Sequence, residues 1–455
     1  MSTFNGWLLG VVLISCVYLY LYFRKGPVEA LGAAIVMSFA FPVWLKIDLW
    51  GMPMNVRSAI AGIAMFGYIC HPKGKILSPL TMLDCCIAML YFSHFWTDSF
   101  ATGFSPSLPF RAYGEWALPF VAGRYAVRDR LDLQWISKWV TGLLLLLSIV
   151  SIIESTTKVN LYETVFGNRP VEMAIRSMSR FGFKRAFGPT MHAIFGGMFI
   201  VMLSPWLVCS WRSSEDRRNR SIAVLAGLTT LAGVLATVSR TPVVTILMAA
   251  GLLMTLRIKV LRWPLGIIAG LTISIFAAFP TQVTDAVSSW TGGLERQRLI
   301  EIGGEAVVTS SSRSRLHVFR AYLDEMIKAG PFGYGTVATN GFPPRIPGLE
   351  SRMKSENLFK TIDNGYVLLA LRFGWIGSAF LIVLLATSVW TGFSLYFASP
   401  DQLFPGAVAC LLLVVAILSL WLVWLSYDFG MPMLWTIGVL SGLISAQKRR
   451  ADIGR

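Results

Sequence analysis

Residues 374–397 read GWIGSAFLIVLLATSVWTGFSLYF, and none of these 24 side chains is charged. A helix of about 20 apolar residues crosses the roughly 30 Å hydrocarbon core of a bilayer. Comparable runs recur along the 455-residue chain, which is 55% hydrophobic and 14% charged. Inside lipid, runs this continuous satisfy their backbone hydrogen bonds only as helices. The sequence therefore predicts an all-α, polytopic transmembrane bundle rather than a soluble enzyme.

We expect twelve or thirteen spans in this bundle. They are placed near residues 7–23, 28–45, 58–70, 79–97, 113–127, 139–153, 190–210, 222–238, 242–256, 263–280, 374–397, 404–425 and 430–446. The span at 113–127 is the least continuous, because Glu115 and Arg124 interrupt it. The first span is expected to be retained, since its basic residues follow the apolar run instead of preceding it as in a signal peptide.

Clusters of lysine and arginine follow alternate spans, and such residues in short loops remain on the cytoplasmic side. The two longest polar segments then fall on the extracytoplasmic side. We expect four parts: N-terminal helices (1–153), helices with a first outer loop at 154–189 (154–280), a large outer loop containing short helices (281–372), and C-terminal helices with a cytoplasmic tail (373–455).

Both outer loops are basic, against the usual charge asymmetry. The first carries Arg169, Arg176, Arg180, Lys184 and Arg185, and the second carries Arg296, Arg298, Arg313, Arg315, Arg320, Lys328, Arg345, Arg352, Lys354, Lys360 and Arg372. Arginine binds phosphate through two parallel hydrogen bonds, so an anionic partner on this side explains the pattern. The alternative is contact with the phosphates of outer-leaflet lipids.

A short motif, Ser239-Arg240-Thr241-Pro242, separates two apolar runs and places Arg240 at a membrane boundary. A charge there is costly unless it is paired. Arg240 either points into a cavity and holds a phosphate or extends to the interface, as flanking arginines do.

The segment 180–192, RFGFKRAFGPTMH, leads into the next apolar run. We expect Gly188 and Pro189 to form the first turn of a helix, where free N–H groups and the helix dipole favour an anion. With Arg180, Lys184 and Arg185 beside it, this turn is a candidate cradle for a pyrophosphate. His192 is a minor candidate, because most such histidines are interfacial.

The large loop has its own helical signal at 312–328, SRSRLHVFRAYLDEMIK, where apolar residues recur at helical spacing. Gly330 and Pro331 are expected to end this helix, and an irregular stretch follows through Gly348. A second helix is expected from about Ile362. At its start, Asp363 and Asn364 are read as a general base with a neighbouring amide, or as a helix cap.

Four segments in this order resemble the O-antigen ligase and polymerase family over roughly residues 150–380. They are RFGFKRAFGPTMHAIFGG (180–197), SRTPVV (239–244), SRSRLHVFRAYLDEMIKAGPFGYG (312–335) and IDNGYVLLALRFGWIG (362–377).

The resemblance implies a glycosyltransferase of the bacterial inner membrane, with neither metal nor cofactor. It would transfer a glycan from undecaprenyl pyrophosphate to a hydroxyl on the outer side. Arg185, Arg240 and Arg315 would bind the pyrophosphate and stabilise the leaving group, and Asp363 would accept the hydroxyl proton. The remaining candidates for substrate contacts are Arg180, Lys184, His192, Arg313, His317, Asn364 and Tyr366.

We favour a polymerase of polysaccharide repeat units over a ligase to lipid A core, because Asp363 stands where the ligase branch is expected to have histidine. Expected partners are the lipid-linked glycan, membrane lipid, a chain-length regulator and a flippase, and no nucleic acid. A transporter is the rival from another class, although we see no repeat between the halves of the chain. A receptor or scaffold would leave the outer arginines unexplained.

Overall fold

The computed structural model describes most of the chain. The described residues are 3–49, 51–72, 79–169, 179–180, 182–213, 216–258, 260, 262–264, 267, 271, 274–275, 278–279, 282, 298–302, 305–309, 314–339, 344–346, 349, 351, 362, 364–399, 401–420 and 428–453.

The first half of the chain is a series of helices with one hairpin. Its elements are α1 (Thr3–Arg24), α2 (Pro27–Ser38), β1 (Lys46–Leu49), β2 (Met52–Asn55), α3 (Val56–Cys70), α4 (Met82–Thr102), α5 (Ser107–Ala112), a π-helical turn (Tyr113–Ala117), α6 (Leu118–Ala126), α7 (Arg130–Thr157) and α8 (Leu161–Phe166).

The second half repeats this character, with two further antiparallel hairpins. Its elements are β3 (Ser179–Arg180), β4 (Phe183–Lys184), α9 (Ala193–Leu203), α10 (Pro205–Ser213), α11 (Arg217–Ala236), α12 (Arg240–Arg257), β5 (Arg298–Ile302), β6 (Glu305–Thr309), α13 (Ser314–Ala329), α14 (Gly335–Thr339), α15 (Gly365–Ala398), α16 (Leu403–Leu418) and α17 (Gly430–Ile453).

Six helices among the described residues are long and apolar enough to cross a membrane, and three shorter apolar helices accompany them. The prediction of an all-α, polytopic membrane protein is therefore confirmed. The span expected near 263–280 lies largely outside the described residues. The span expected at 28–45 was too long, because α2 ends at Ser38 and the chain then turns into the β1–β2 hairpin.

The core is built from large aromatic side chains at the centre of the bundle. Trp206 and Trp435 stack with ring centroids 4.8 Å apart, and Phe39 meets Trp435 edge to face at 5.6 Å. All three side chains are fully buried. This contact joins α2, α10 and α17 across more than 390 residues of sequence, which fixes the centre of the bundle.

The chain reversals that carry the candidate site residues lie at one end of the bundle, which we call the loop face. Here α2, α7, α11 and α16 end, and α3, α9, α12, α15 and α17 begin. Arg57, fully buried, joins three of these segments by donating to the backbone oxygens of Phe39, Phe41 and Asp428. The loop face is thus a connected structure rather than a set of independent turns.

Helix α15 is interrupted near its start, at Gly374, whose φ of 64° is left-handed. Beyond this break the N–H groups of Trp375 and Ile376 donate to the carbonyls of Gly330 and Pro331, at 3.2 Å each. The segment that follows α13 therefore replaces part of the hydrogen-bond ladder of α15. The inserted carbonyl groups explain the kink. Their hydrogen bonds also attach the large loop to the bundle.

Helices α6 and α17 pack closely because glycines allow their backbones to touch. A Cβ atom added to Gly438 would overlap the carbonyl of Phe120 and crowd the backbone of Arg124. Small residues permit such close approach between helices in membranes, where packing rather than water exclusion drives association.

We predict that Gly438→Ala lowers the stability of the bundle by about 1–3 kcal/mol, because the added methyl forces two backbones apart. The matched control is Gly142→Ala on α7, where an added Cβ meets nothing within 4 Å. Thermal unfolding of the detergent-solubilised protein compares the two. Equal melting temperatures for both variants would contradict the packing described here.

Candidate functional site

The first basic loop meets the 239–242 motif at the loop face. Nη2 of Arg185 donates to Oγ of Ser239 at 2.9 Å, and the N–H of Ala186 donates to the carbonyl of Ala236 at 3.2 Å. Arg240 is the first residue of α12 and its side chain is exposed. Two stretches more than 50 residues apart thus bring Arg185 beside the residue that precedes Arg240.

His192 lies among the cations of this loop. It is the N-cap of α9, and its Nδ1 accepts the N–H of Ile194 at 3.2 Å. Burial, together with the positive charges of Arg185, Arg169 and Arg180, lowers the pKa of His192 to about 4. The imidazole is therefore neutral at pH 7. Because Nδ1 accepts, Nε2 carries the proton and can donate a hydrogen bond.

Arg169 holds the start of this loop against its end. Its guanidinium donates to the carboxylate of Glu163 at 3.0 Å and to the carbonyl of Met191 at 2.5 Å, and it stacks 3.5 Å from the ring centroid of Phe187. A charge-assisted pair with a stacked face is a rigid arrangement. Arg169 is thus committed to the protein's own groups, and its charge still acts on His192.

Glu154, at the end of α7, lies under the same loop and is fully buried. Its Oε2 accepts the N–H groups of Phe187 at 3.2 Å and Gly188 at 2.9 Å. Nζ of Lys184 lies 3.8 Å from its Oε1 and also donates to the carbonyl of Lys158. Two backbone donors and one cation therefore surround this carboxylate.

The expected anion cradle at Gly188 and Pro189 is wrong in two respects. Helix α9 begins at Ala193, so these two residues are not its first turn. The N–H groups of Phe187 and Gly188 are engaged by Glu154 instead of being free. The physical reason is that residues 187–190 form a tight turn, closed by the N–H of Thr190 on the carbonyl of Phe187 at 3.1 Å.

A second buried acid supports the other side of the loop. Oδ1 of Asp428 accepts the N–H of Met191 at 3.2 Å, while the backbone carbonyl of Asp428 accepts from Arg57. The N–H of Val43 donates to the carbonyl of Pro189 at 3.2 Å. Residues 185–192 are consequently held from α7, α11 and α17 and from the chain after α2.

The candidates in the large loop are only partly placed. Arg315 lies in α13, but its side chain is outside the described residues, as are Arg313 and Asp363. His317 is half-buried on α13. This helix packs on α15 through Tyr322 and Met326, while Phe319 and Ile327 are exposed. The convergence of Arg315 and Asp363 with Arg185 and Arg240 therefore stays a prediction.

Of the two roles considered for the segment before α15, helix capping is seen at Asn364. Oδ1 of Asn364 accepts the N–H groups of Tyr366 and Val367 at 3.0 Å each, so Asn364 is the N-cap of the helix. The hydroxyl of Tyr366 donates to the carbonyl of Ala416 at 2.7 Å. Asn364 thus caps α15, Tyr366 attaches the start of α15 to the end of α16, and Asp363 immediately precedes the cap.

A comparison with family models matches residues 225–382 to the O-antigen ligase family. This region is similar to the O-antigen ligase family. It includes Arg240, the large loop and the start of α15, and so covers most of the segments that resembled the family by motif. Arg180, Lys184, Arg185 and His192 lie before the O-antigen ligase region, and Arg185 contacts this region through Ser239. A search of curated proteins gives no match.

The bundle is also hollow at the end opposite the loop face, where a cavity of about 110 Å³ lies between Arg130, Arg212 and Gln447. Arg212 pairs there with Asp401 at 3.2 Å. This cavity does not include any residue of the O-antigen ligase match. Among the described residues, no three His, Cys, Asp or Glu side chains are placed to hold a metal ion.

Sequence reasoning missed the supporting residues, above all Glu154, Asp428 and Ser239. The available signal for Glu154 and Asp428 was their position at the ends of apolar runs, where an acid needs donors. What the sequence lacked was the identity of those donors, which are backbone N–H groups from distant loops.

The low pKa of His192 predicts how the free energy of unfolding depends on pH. Folding keeps His192 neutral while the unfolded chain protonates it near its ordinary value of 6.5, so stability is lost as pH falls from about 6.5 to 4. His192→Asn keeps a cap acceptor and removes the titration. We expect the variant to lose about 1–3 kcal/mol less than the parent over this range. Melting temperatures measured from pH 7 to 4 test this, and parallel curves would contradict it.

A second prediction concerns Glu154. Glu154→Leu removes the acceptor of two buried N–H groups and is expected to destabilise the protein by about 2–4 kcal/mol, with faster amide exchange at Phe187 and Gly188. Glu154→Gln keeps an acceptor oxygen and is expected to fall between Glu154→Leu and the parent. Unchanged exchange at both amides in Glu154→Leu would show that the carboxylate does not hold this turn.

Proposed function

We propose that this protein is a glycosyltransferase that moves a glycan from undecaprenyl pyrophosphate to an acceptor hydroxyl. The proposed reaction takes place at the loop face, on the extracytoplasmic side of the bacterial inner membrane. The O-antigen ligase match supports a membrane enzyme that transfers glycosyl groups. The finer assignment of donor, face and product rests on the residues of the site.

The observation that carries the proposal is the contact of Arg185 with Ser239, which brings a guanidinium from outside the O-antigen ligase region beside the residue that precedes Arg240. Arg240 begins the apolar helix α12, and Arg185 lies on the loop that precedes the apolar helix α9. Arg180 and the Nε2 proton of neutral His192 add a further cation and a donor. A diphosphate ester needs several such donors at once.

In the proposed reaction the acceptor oxygen attacks the anomeric carbon of the lipid-linked glycan, and the bond between that carbon and the phosphate oxygen breaks. The electron pair of this bond remains on the departing lipid pyrophosphate. Guanidinium groups stabilise that charge more strongly as it develops, which is the condition for lowering the barrier. The acceptor proton passes to a base, for which Asp363 is the proposed residue, next to the capping Asn364.

Arg240 and Arg315 are the proposed catalytic cations, and Arg185 binds the pyrophosphate with them. Arg180, Lys184, His192, Arg313, His317, Asn364 and Tyr366 are the proposed substrate contacts. Lys184, Asn364 and Tyr366 already make hydrogen bonds within the protein, so we expect them to shape the site more than to hold the glycan.

We favour polymerisation of repeat units as the reaction, because Asp363 stands where the ligase branch is expected to have histidine. Ligation to lipid A core is the second candidate, supported by the similarity to O-antigen ligases. A chain-length regulator and a flippase that delivers the donor are the proposed protein partners. A lipid-linked oligosaccharide transporter is the rival class, since a basic site also suits a translocated pyrophosphate.

We predict that Arg240→Gln and Arg185→Gln each lower the rate of glycan transfer at least about a hundredfold, because each removes a group that stabilises the leaving charge. The matched control is Arg218→Gln, an exposed arginine at the start of α11, on the opposite end of the bundle. The assay uses the purified full chain with a lipid pyrophosphate-linked repeat unit and gel analysis of chain length.

The same variants separate the rival functions in cells. Loss of polymerase activity leaves single lipid-linked units on the outer leaflet, and loss of ligase activity leaves long, unattached chains. Units trapped on the cytoplasmic leaflet would identify a flippase and contradict the proposal. Normal polysaccharide in both arginine variants would do the same.

A further inference from the structure

A second cluster of buried polar groups lies away from the arginines, on α4 and the π-helical turn. His94 and Asp98 are one helical turn apart, and their side chains are at most 3% exposed. Nε2 of His94 lies 3.3 Å from Oδ2 of Asp98, and its Nδ1 lies 3.4 Å from Oε2 of Glu115. Thr336, in the short helix α14 of the large loop, completes the cluster. We call these four residues the loop clamp.

Asp98 is the centre of the loop clamp. Its Oδ1 accepts the N–H of Thr336 at 2.6 Å, and its Oδ2 accepts both the Thr336 hydroxyl and the imidazole of His94. A buried carboxylate is costly unless several donors meet it. Two of these donors come from a residue 238 positions away. The contact therefore binds α14 to α4.

His94 orients Asp98 and is not placed to act on a substrate. Its Nδ1 accepts from Nε1 of Trp116 at 3.2 Å, so both ring nitrogens face protein groups. The ring also packs on Phe373 with centroids 5.1 Å apart. Trp116 donates to a neutral imidazole, and Glu115 can accept from a protonated one. The Nε2–H bond to Asp98 is available in either protonation state.

Neighbouring contacts continue the attachment along 330–339. The hydroxyl of Thr97 donates to the carbonyl of Phe332 at 2.8 Å, and the N–H of Tyr334 donates to the carbonyl of Leu371 at 2.7 Å. Nε of Arg372 donates to the hydroxyl of Thr339 at 2.9 Å. Together with the bonds at the break in α15, they place this segment between α4 and α15.

Among the described residues, both Arg372 and the loop clamp place a buried charged side chain against this segment, and the loop clamp does so from α4. Segment 330–339 directly follows α13, the helix that carries Arg315 and His317. The position of this segment on the bundle therefore determines where α13 ends. We propose that His94 and Asp98 are positioning residues for glycan transfer, which hold the large loop at a fixed place on the bundle while the arginines act. The positioning role rests on the function proposed above. The attachment of the large loop to α4 does not.

Two amide substitutions at one position test the geometry. In His94→Gln the side-chain nitrogen takes the place of Nε2 and still donates to Asp98. In His94→Asn the amide reaches only the place of Nδ1. We expect Gln to retain the attachment and Asn to lose it. A role in packing alone would not distinguish the two, since both remove the ring that contacts Phe373.

The first readout is amide exchange of Thr336 in the full chain in lipid nanodiscs. We expect Asp98→Asn and His94→Asn to accelerate this exchange at least about tenfold, because a hydrogen bond to a charged group is lost or weakened. The control on the same helix is Ser99→Ala, whose hydroxyl donates to the carbonyl of Phe95 within α4. Unchanged exchange in Asp98→Asn and in His94→Asn would overturn the attachment.

The second readout is transfer of the lipid-linked glycan. We expect kcat to fall by about tenfold to a hundredfold in Asp98→Asn and His94→Asn with little change in the KM of the donor, because misplaced groups cost rate more than binding. His94→Gln is expected to restore most of kcat. Faster exchange with unchanged kcat would overturn the positioning role. If the parent itself transfers no glycan, the proposed function fails while the exchange result still judges the loop clamp.

Thr336→Val provides a second route if Asp98→Asn fails to insert. It removes the hydroxyl bond to Asp98 and leaves the α4 residues intact, so it is expected to give the same loss of kcat in a weaker form. Parent-like kcat in a folded Thr336→Val protein would contradict the role of that hydroxyl in the loop clamp.

Discussion

The buried carboxylate of Glu154 is the interaction on which the geometry of the loop face depends. An acid at the end of a membrane helix must find donors, and here the nearest are the N–H groups of Phe187 and Gly188. That requirement folds residues 185–190 back over α7. Arg185 then reaches Ser239, and His192 reaches the start of α9. The loop that sequence reasoning read as a cradle for an external anion is shaped by an anion of the chain itself.

The N–H groups of Phe187 and Gly188 are engaged within the protein. In the proposed mechanism it is therefore the side chains of Arg185 and Arg240 that bind the pyrophosphate. Burial, together with the charges of Arg185, Arg169 and Arg180, lowers the pKa of His192 to about 4 and keeps its imidazole neutral at pH 7. Burial and like charge thus produce a basic surface that contains one neutral hydrogen-bond donor.

Much of the fold could be predicted from the sequence, because long apolar runs in lipid have one backbone solution. The start of α15 followed from local chemistry, as did the end of α13 at Ala329, before Gly330 and Pro331. The hairpin after α2 could not be predicted, since residues 39–45 are as apolar as a span. The pairing of 330–331 with 375–376 was also hidden. Both motifs, GPFGYG and RFGWIG, were visible, but nothing local shows that one enters the hydrogen-bond ladder of the other.

The candidate site divides in the same way. Residue types predicted a basic outer loop and a boundary arginine, and the contact of Arg185 with Ser239 joins the two. The roles of Glu154, Asp98 and Asp428 were out of reach, because each carboxylate is satisfied by groups tens or hundreds of positions away. The buried acids position the loops, whereas the proposed chemistry belongs to the arginines.

The central claim is that Arg185 and Arg240 grip one diphosphate together. A double-mutant cycle on the binding of undecaprenyl pyrophosphate to the full chain in nanodiscs tests it most directly. If both guanidinium groups hold the same ligand, the effects of Arg185→Gln and Arg240→Gln on Kd are coupled, with an interaction energy of at least about 0.5 kcal/mol. Strictly additive effects, or a Kd that neither substitution changes, would contradict the account.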